Sequence, residues 1–322
     1  MLQPNTPEYT EQQHEFTSRY WSIPRRGNIG MNSWRKKFIN EVLKYIDRVG
    51  TPDIIHAHTF LGGWVAHAIK EQLNIPYVIT EHSTQVLQNN LSRTHDNIAK
   101  ESYLHADAVL TVGQKLADVI TNKYRVETQV IPNFIDINLF TIPKNKPKLN
   151  DRFQLIAIGD LIQRKRIDKL LKACAQLNMD YHLSIIGDGP ERTSLEKLAK
   201  AKNISATFYG RQSLEEISKH LKKAHLLVHP SKSETFGIIL IEAMATGIPV
   251  ISFDNGGAPD IITPQTGLLL NEDNTSALTA AIELVFNHYR DYSSTEIRQV
   301  VMDRFSPSAI ASQLIALYRT LT

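Results

Sequence analysis

The sequence predicts an α/β protein made of two doubly wound, Rossmann-like domains. Two observations carry this expectation. From residue 50 onward, short β-rich apolar runs alternate with amphipathic stretches of about 10–15 residues, the pattern of βα units on parallel sheets. The series breaks once, at residues 141–151 (Thr-Ile-Pro-Lys-Asn-Lys-Pro-Lys-Leu-Asn-Asp), whose prolines and like charges disfavour helix and strand alike. The length of 322 residues is that of two ordinary domains.

The first fifty residues hold Pro4, Pro7 and Pro24, then a Gly27-Asn28-Ile29-Gly30 break and a helical stretch from about Ser33 to Val49. No strand is expected there. The N-terminal domain is therefore expected to lack the first strand and the glycine-rich turn with which such a domain normally opens. Its strands are expected at 53–58, 77–82, 108–113 and 128–132, with helices near 61–73, 94–105 and 114–124. The domains are placed at 1–142 and 152–322, joined by a linker at 143–151. In the second domain, strands are expected near 153–159, 182–187, 206–210, 225–229 and 249–253. Its helices are expected near 166–177, 190–202, 213–223, 237–246, 274–288 and 307–321, the last packing back on the N-terminal domain.

Composition excludes several classes. With 42% apolar and 21% charged residues the chain is neither disordered nor collagenous. No run approaches the ~18 consecutive apolar residues of a membrane span, and Met1-Leu2-Gln3-Pro4-Asn5-Thr6 lacks the basic and apolar regions of a secretory signal. One cysteine, Cys174, rules out an internal disulfide framework and a multi-cysteine zinc site, so a cytoplasmic protein is expected. A net charge of +3 gives no case for nucleic-acid binding.

The most informative run is Pro230-Ser231-Lys232-Ser233-Glu234-Thr235-Phe236-Gly237-Ile238, leading into a helix that contains Glu242 and stops at Gly247. A strand ends at Pro230, so this loop sits at the carboxyl edge of a parallel sheet, where open α/β folds bind ligands. The N–H groups of Phe236, Gly237 and Ile238 at the helix start would hold an anion such as a phosphate. Glu234 and Glu242 lie on the order of 10 Å apart along the helix direction. That is too far for the carboxylate pair of a retaining glycosidase, at about 5 Å. It suits one elongated ligand held at both ends with a diphosphate between. A capping glutamate and a solvated helix glutamate are the plainer alternative.

This spacing, Glu234-x7-Glu242 within Pro-Ser-x-x-Glu-x-Phe-Gly, resembles the signature of retaining glycosyltransferases of the GT-B fold, family 4, also called group 1. Other segments fall in the family's order: Asp53-Ile54-Ile55-His56-Ala57-His58, Thr80-Glu81-His82, Val130-Ile131-Pro132-Asn133, Gly187-Asp188-Gly189-Pro190 and Gly256-Gly257-Ala258-Pro259-Asp260. The resemblance spans about residues 50 to 320. It implies two Rossmann-like domains facing across a cleft and transfer of a sugar, with retention, from a nucleotide-diphospho-sugar to a saccharide or lipid-linked acceptor. It further implies front-face attack, in which the departing phosphate helps to deprotonate the acceptor.

By the same resemblance, His82 and Glu234 act at the reacting centre, and Glu242 binds the ribose hydroxyls. Thr235, Phe236, Gly237 and Ile238 would hold the diphosphate. Lys165 matches the lysine of the family's Gly-Arg-Leu-x-x-x-Lys-Gly clamp, but Asp160 replaces its arginine and Arg166 its final glycine. Arg164 or Arg166 would then substitute, or the pocket is altered. A solvated charge run on a turn is the plainer reading of Arg164-Lys165-Arg166, and an edge histidine that of His82. No metal or other cofactor is expected, since helix N–H groups and Lys165 supply positive potential and no Asp-x-Asp pair is present. His56 and His58 share a face and read as structural or cleft-lining; Gly187-Asp188-Gly189-Pro190 reads as a turn with Pro190 opening a helix; Cys174 reads as a core residue.

Arg25, Arg26, Arg35, Lys36, Lys37, Lys44 and Arg48, with Tyr20, Trp21 and Trp34, give the N-terminal region a basic, aromatic bias. It reads as a solvated helix face or as peripheral contact with anionic lipid at the inner membrane face. The competing functional reading is a nucleotide-sugar-binding protein without transferase activity, favoured by Asp160 and the missing first strand. A sugar-nucleotide epimerase is a third, disfavoured by the Glu234/Glu242 helix motif.

Overall fold

The computed structural model describes residues 8–10, 15–17, 28–145 and 152–322. Residues 146–151 of the expected linker, and Tyr20, Trp21, Arg25 and Arg26 of the basic region, lie outside them. The chain divides into two compact units: Met1–Thr111 with Ala117–Gln129 and Ala316–Thr322, and Val112–Leu116 with Val130–Ile315.

In the first unit, β1 (Glu8–Thr10) and β2 (Glu15–Thr17) pair antiparallel as a sheet of their own. This corrects the expectation that no strand precedes residue 50. The segments Glu-Tyr-Thr and Glu-Phe-Thr alternate polar and aromatic residues with the period of a strand, a signal that a three-residue run makes easy to miss. α1 (Asn28–Val49) also starts earlier than expected, carrying Gly30 within its first turn. One glycine there costs at most about 1 kcal/mol. Docking decides instead: Trp34, Phe38, Ile39 and Val42 recur at helical spacing and pack with Ile46, Val65, Ile69 and Ile75.

Then follow β3 (Ile55–His58), α2 (Thr59–Leu73), β4 (Tyr77–Glu81), α3 (Thr84–Leu87), α4 (Arg93–His105), β5 (Ala108–Thr111), α5 (Gln114–Tyr124) and β6 (Gln129–Val130). The sheet runs β3-β4-β5-β6, with β3 parallel to β4 and β4 parallel to β5. β4 is buried at every residue, which explains its unbroken apolar reading. The short α3 was not expected; Ser83 caps it, accepting from the N–H groups of Gln85 and Val86.

The second unit contains β7 (Phe153–Ile158), α6 (Ile167–Cys174), β8 (Tyr181–Ile186), α7 (Arg192–Ala201), β9 (Ala206–Gly210), α8 (Leu214–Leu221), β10 (Leu226–His229), α9 (Ile238–Ala245) and β11 (Val250–Phe253). After them come β12 (Gly267–Leu270), α10 (Thr275–Asn287), α11 (Ser294–Phe305) and α12 (Pro307–Leu321), whose residues from Ala316 belong to the first unit. The six strands are parallel in the order β12-β11-β10-β7-β8-β9. The chain moves outward from β7 to β9, then returns to β10 on the other side of β7. That reversal is a topological switch point.

Alternation along β7 sends Phe153, Leu155 and Ala157 into the main core with Leu170, Leu171 and Cys174 of α6 and Ile282 and Val285 of α10. Cys174 is 1% exposed and burial pushes its thiol up to about 12, consistent with a core residue. Three expectations are corrected here. β12 and α11 were not expected, and α7 starts at Arg192 with Pro190 ahead of it rather than at its first position.

Candidate functional site

The loops leaving β7 and β10 meet at the carboxyl edge of the switch point. After β7 the chain passes Gly159, makes a 3-10 turn over Gln163–Lys165, and enters α6 through Arg166. This loop rests on the turn after β8: Gly159 N–H donates to Ile186 O, Leu161 N–H to Asp188 O, and Glu191 N–H to Leu161 O. A Cβ on Gly187 would lie 2.0 Å from Gly159 O, and one on Gly189 2.5 Å from Leu161 O. The Gly187-Asp188-Gly189 turn is thus a seat for the Lys165 loop.

After β10, Glu234 N–H donates to Asn255 O at 3.0 Å, tying this loop to the one after β11. A Cβ on Gly257 would lie 2.0 Å from Phe236 O. Gly257 therefore permits backbone-to-backbone approach of the two loops.

Lys165 Nζ bonds Glu234 Oε1, Arg164 Nη1 lies 3.5 Å from the same oxygen, and Arg164 Nη1 also donates to Ser233 O at 2.6 Å. The Glu234 side chain is 13% exposed. Burial alone would raise its carboxyl; the facing His229 imidazole and the Lys165 ammonium outweigh burial and hold it well below the usual range. Thr235, Phe236 and Gly237 then lead into α9, which Gly237 enters at φ 102° with no side-chain cap. The N–H groups of Ile238 and Ile239, the first of α9, have no intrahelical acceptor, whereas Leu240 N–H donates to Gly237 O at 2.9 Å. Glu242, within α9, is 6% exposed, and burial pushes its carboxyl up to about 7.

The structure thus brings Arg164, Lys165, Glu234 and the 235–238 turn together, with Glu242 in the helix that follows. Arg166, considered as a stand-in for the missing clamp arginine, bonds Asp273 together with Lys169, the latter at 2.6 Å. It sits at φ 52°, which accounts for the glycine that the resemblance places at this position. Asp160 has a side chain 63% exposed and lies 3.8 Å from Arg211 Nη2.

His82 belongs to the first unit, after β4. Its Nε2 lies 2.9 Å from His58 Nδ1. The His56 and His58 rings stack at 4.8 Å, and His56 bonds Thr80 Oγ1 at 2.7 Å and the Tyr318 hydroxyl. Burial, then the neighbouring imidazoles, pushes His56 down to about 4, and burial with His58 also lowers His82. Glu81 fixes the backbone here, accepting from the N–H groups of Phe60, His82 and Ser83 and from the Tyr103 hydroxyl. On α1, Arg35 stacks over Trp64 at 4.4 Å and pairs with Glu101 at 3.3 Å, so it serves packing within this unit.

Sequence reasoning missed His229, which closes β10 beneath Glu234, and the anchoring roles of Glu81 and Tyr318. A histidine ending an apolar central strand just before the loop was the available signal for the first. The pairing of Tyr318 with His56 spans 262 residues and leaves no local trace.

The glycosyltransferase family 4 pattern matches residues 3–139 and the group 1 glycosyl transferase pattern residues 140–298. The chain belongs to the group 1, family 4 glycosyltransferases. This glycosyltransferase is 29% identical over 241 residues to the uncharacterized glycosyltransferase MJ1178 of Methanocaldococcus jannaschii, covering 73% of this chain and 66% of that one. It thus spans about two-thirds of that relative's length. Among solved structures it resembles sucrose-phosphate synthase from Thermosynechococcus elongatus, with a TM-score of 0.82, 27% identity, and 97% and 85% of the two chains covered. HepE of Anabaena in complex with UDP gives a TM-score of 0.79 at 20% identity, covering 88% and 82%. The glycosyltransferase has the GT-B fold, with two parallel-sheet α/β domains. No helix among its described residues is long and apolar enough to cross a membrane.

Proposed function

We propose that this glycosyltransferase moves a sugar from a nucleotide-diphospho-sugar to a saccharide or lipid-linked acceptor with retention of configuration. The observation that carries the reading is the convergence of Lys165 and Arg164 on Glu234 at the switch point, directly ahead of the uncapped start of α9. A diphosphate would take the two cations and the α9 amides, releasing the Glu234 carboxylate to the donor sugar. Glu242, buried and without a partner among the described residues, would accept from the ribose hydroxyls. HepE, which shares the fold, holds UDP, and a nucleotide donor fits the same chemistry here. His82, set by His58 and by Glu81 through its backbone, is assigned a role in turnover. The basic face of α1 remains a candidate for contact with anionic lipid.

The reading without transferase activity, which rests on Asp160 and the missing first strand, is not favoured; the Asp160 side chain is 63% exposed and lies 3.8 Å from Arg211 Nη2. The test is release of nucleoside diphosphate from a panel of UDP-, GDP- and ADP-hexoses with saccharide and lipid acceptors, followed by NMR of the product's anomeric centre. Transfer with the donor's configuration kept is expected. Binding without release under every acceptor, or an inverted product, would overturn the proposal.

A further inference from the structure

His229 is the last residue of β10, the strand that feeds the Glu234 loop. It is 2% exposed, and its Nε2 faces Glu234 Oε1 at 3.3 Å, longer than a well-formed N–H···O bond. A buried polar group without a well-formed hydrogen bond costs up to roughly 1–3 kcal/mol, more than an apolar residue of similar size would at this strand end. The oxygen it approaches is already engaged by Lys165 and Arg164. Lys165 is also the cation assigned to the diphosphate, so donor binding must exchange its partner. Once it leaves, Glu234 is a largely buried carboxylate with His229 directly beneath it.

We propose that His229 is a positioning residue for Glu234: as the donor draws Lys165 away, the Nε2–H of His229 takes over Oε1 and keeps the carboxylate aimed at the donor sugar. The ion pair and the buried imidazole are then two halves of one exchange, in which the long Nε2 contact shortens as Lys165 leaves. Burial favours the neutral imidazole, which carries one N–H for this bond. This inference rests on the donor-transfer reading above.

The test measures kcat and donor KM of the full chain, using the hexose nucleotide with the highest turnover in the panel, for His229→Met, His229→Gln, Glu234→Gln and the Met/Gln double variant. His229→Met is expected to lower kcat about tenfold or more with KM within about threefold, and His229→Gln, whose amide can reach Oε1, to recover most of the loss. In the Glu234→Gln background the same His229→Met change is expected to cost less than about twofold, because the two residues act through one bond. Should the Met variant fail to fold, His229→Asn replaces it, its amide being too short to reach Oε1. Wild-type kcat in the Met or Asn variant, an equal loss in the Gln variant, or fully additive losses would overturn the proposal. Wild-type turnover in Glu234→Gln alone would instead overturn the donor-transfer reading, whatever His229 does.

Discussion

Glu242 is a buried carboxylate without an ion-pair partner among the described residues. Its ordinary value of 4.5 is pushed up to about 7 by burial. Between those values the folded chain keeps a proton that the unfolded chain has lost, so stability falls as pH rises through the window and the full penalty stands above it. At 1.36 kcal/mol per unit that penalty is on the order of 3 kcal/mol. Glu242→Gln is therefore expected to stabilise the ligand-free protein by on the order of 3 kcal/mol at about pH 8 and to change little near pH 4.5, read by denaturant titration. An equal effect at both pH values would contradict the burial of an ionised carboxylate. The same variant should weaken donor binding by roughly ten- to a hundredfold, the worth of a hydrogen bond to a charged group. Lys165→Ala addresses the other side of the site. Removing a donor aimed at developing charge should lower kcat by about 10²–10³-fold, and a loss confined to KM would show that Lys165 only binds.

At the scale of elements, the site depends on loops that can approach one another because particular residues lack a side chain. Gly257 has an ordinary φ of −90°, so the obstacle to a larger residue there is contact rather than strain. Gly257→Ala is expected to cost about 1–3 kcal/mol, a fall of several degrees in Tm, and to impair donor binding, whereas Gly62→Ala, whose Cβ would meet Ala57 Cβ at 3.5 Å, should leave both nearly unchanged. Equal tolerance at the two positions would remove the tight backbone approach from the explanation of the site. Such contacts mark what could and could not be read in advance. The Glu234–Glu242 run was legible because a strand end, a loop and a helix start follow one another in the chain. α11 was missed although Ser293 and Glu296 supply its cap and Ile297, Val301 and Phe305 its buried face, because its mixed composition hides a regular spacing. The commitment of Arg166 to Asp273 was not legible, since 107 residues separate them. Nor was the 3.3 Å approach of His229 to Glu234, since the path of the loop between them has no local signal in the sequence.

At the scale of the whole molecule, the proposed labour divides between two compact units. The anion and nucleoside contacts all lie in the second, and His82 with its imidazole stack lies in the first. His82→Ala is accordingly expected to lower turnover at least about tenfold while leaving donor affinity within about threefold. Parallel losses of affinity and turnover would mean that the first unit contributes uniformly to binding. The most direct measurement is calorimetric titration of the nucleotide-sugar panel into the wild-type chain and into Glu242→Ala. Saturable one-site binding of at least one nucleotide sugar by the wild type, greatly weakened in the variant, is the expected result. Absence of binding across the panel, or an affinity unchanged by Glu242→Ala, would contradict a donor site built on the Glu234 loop and α9.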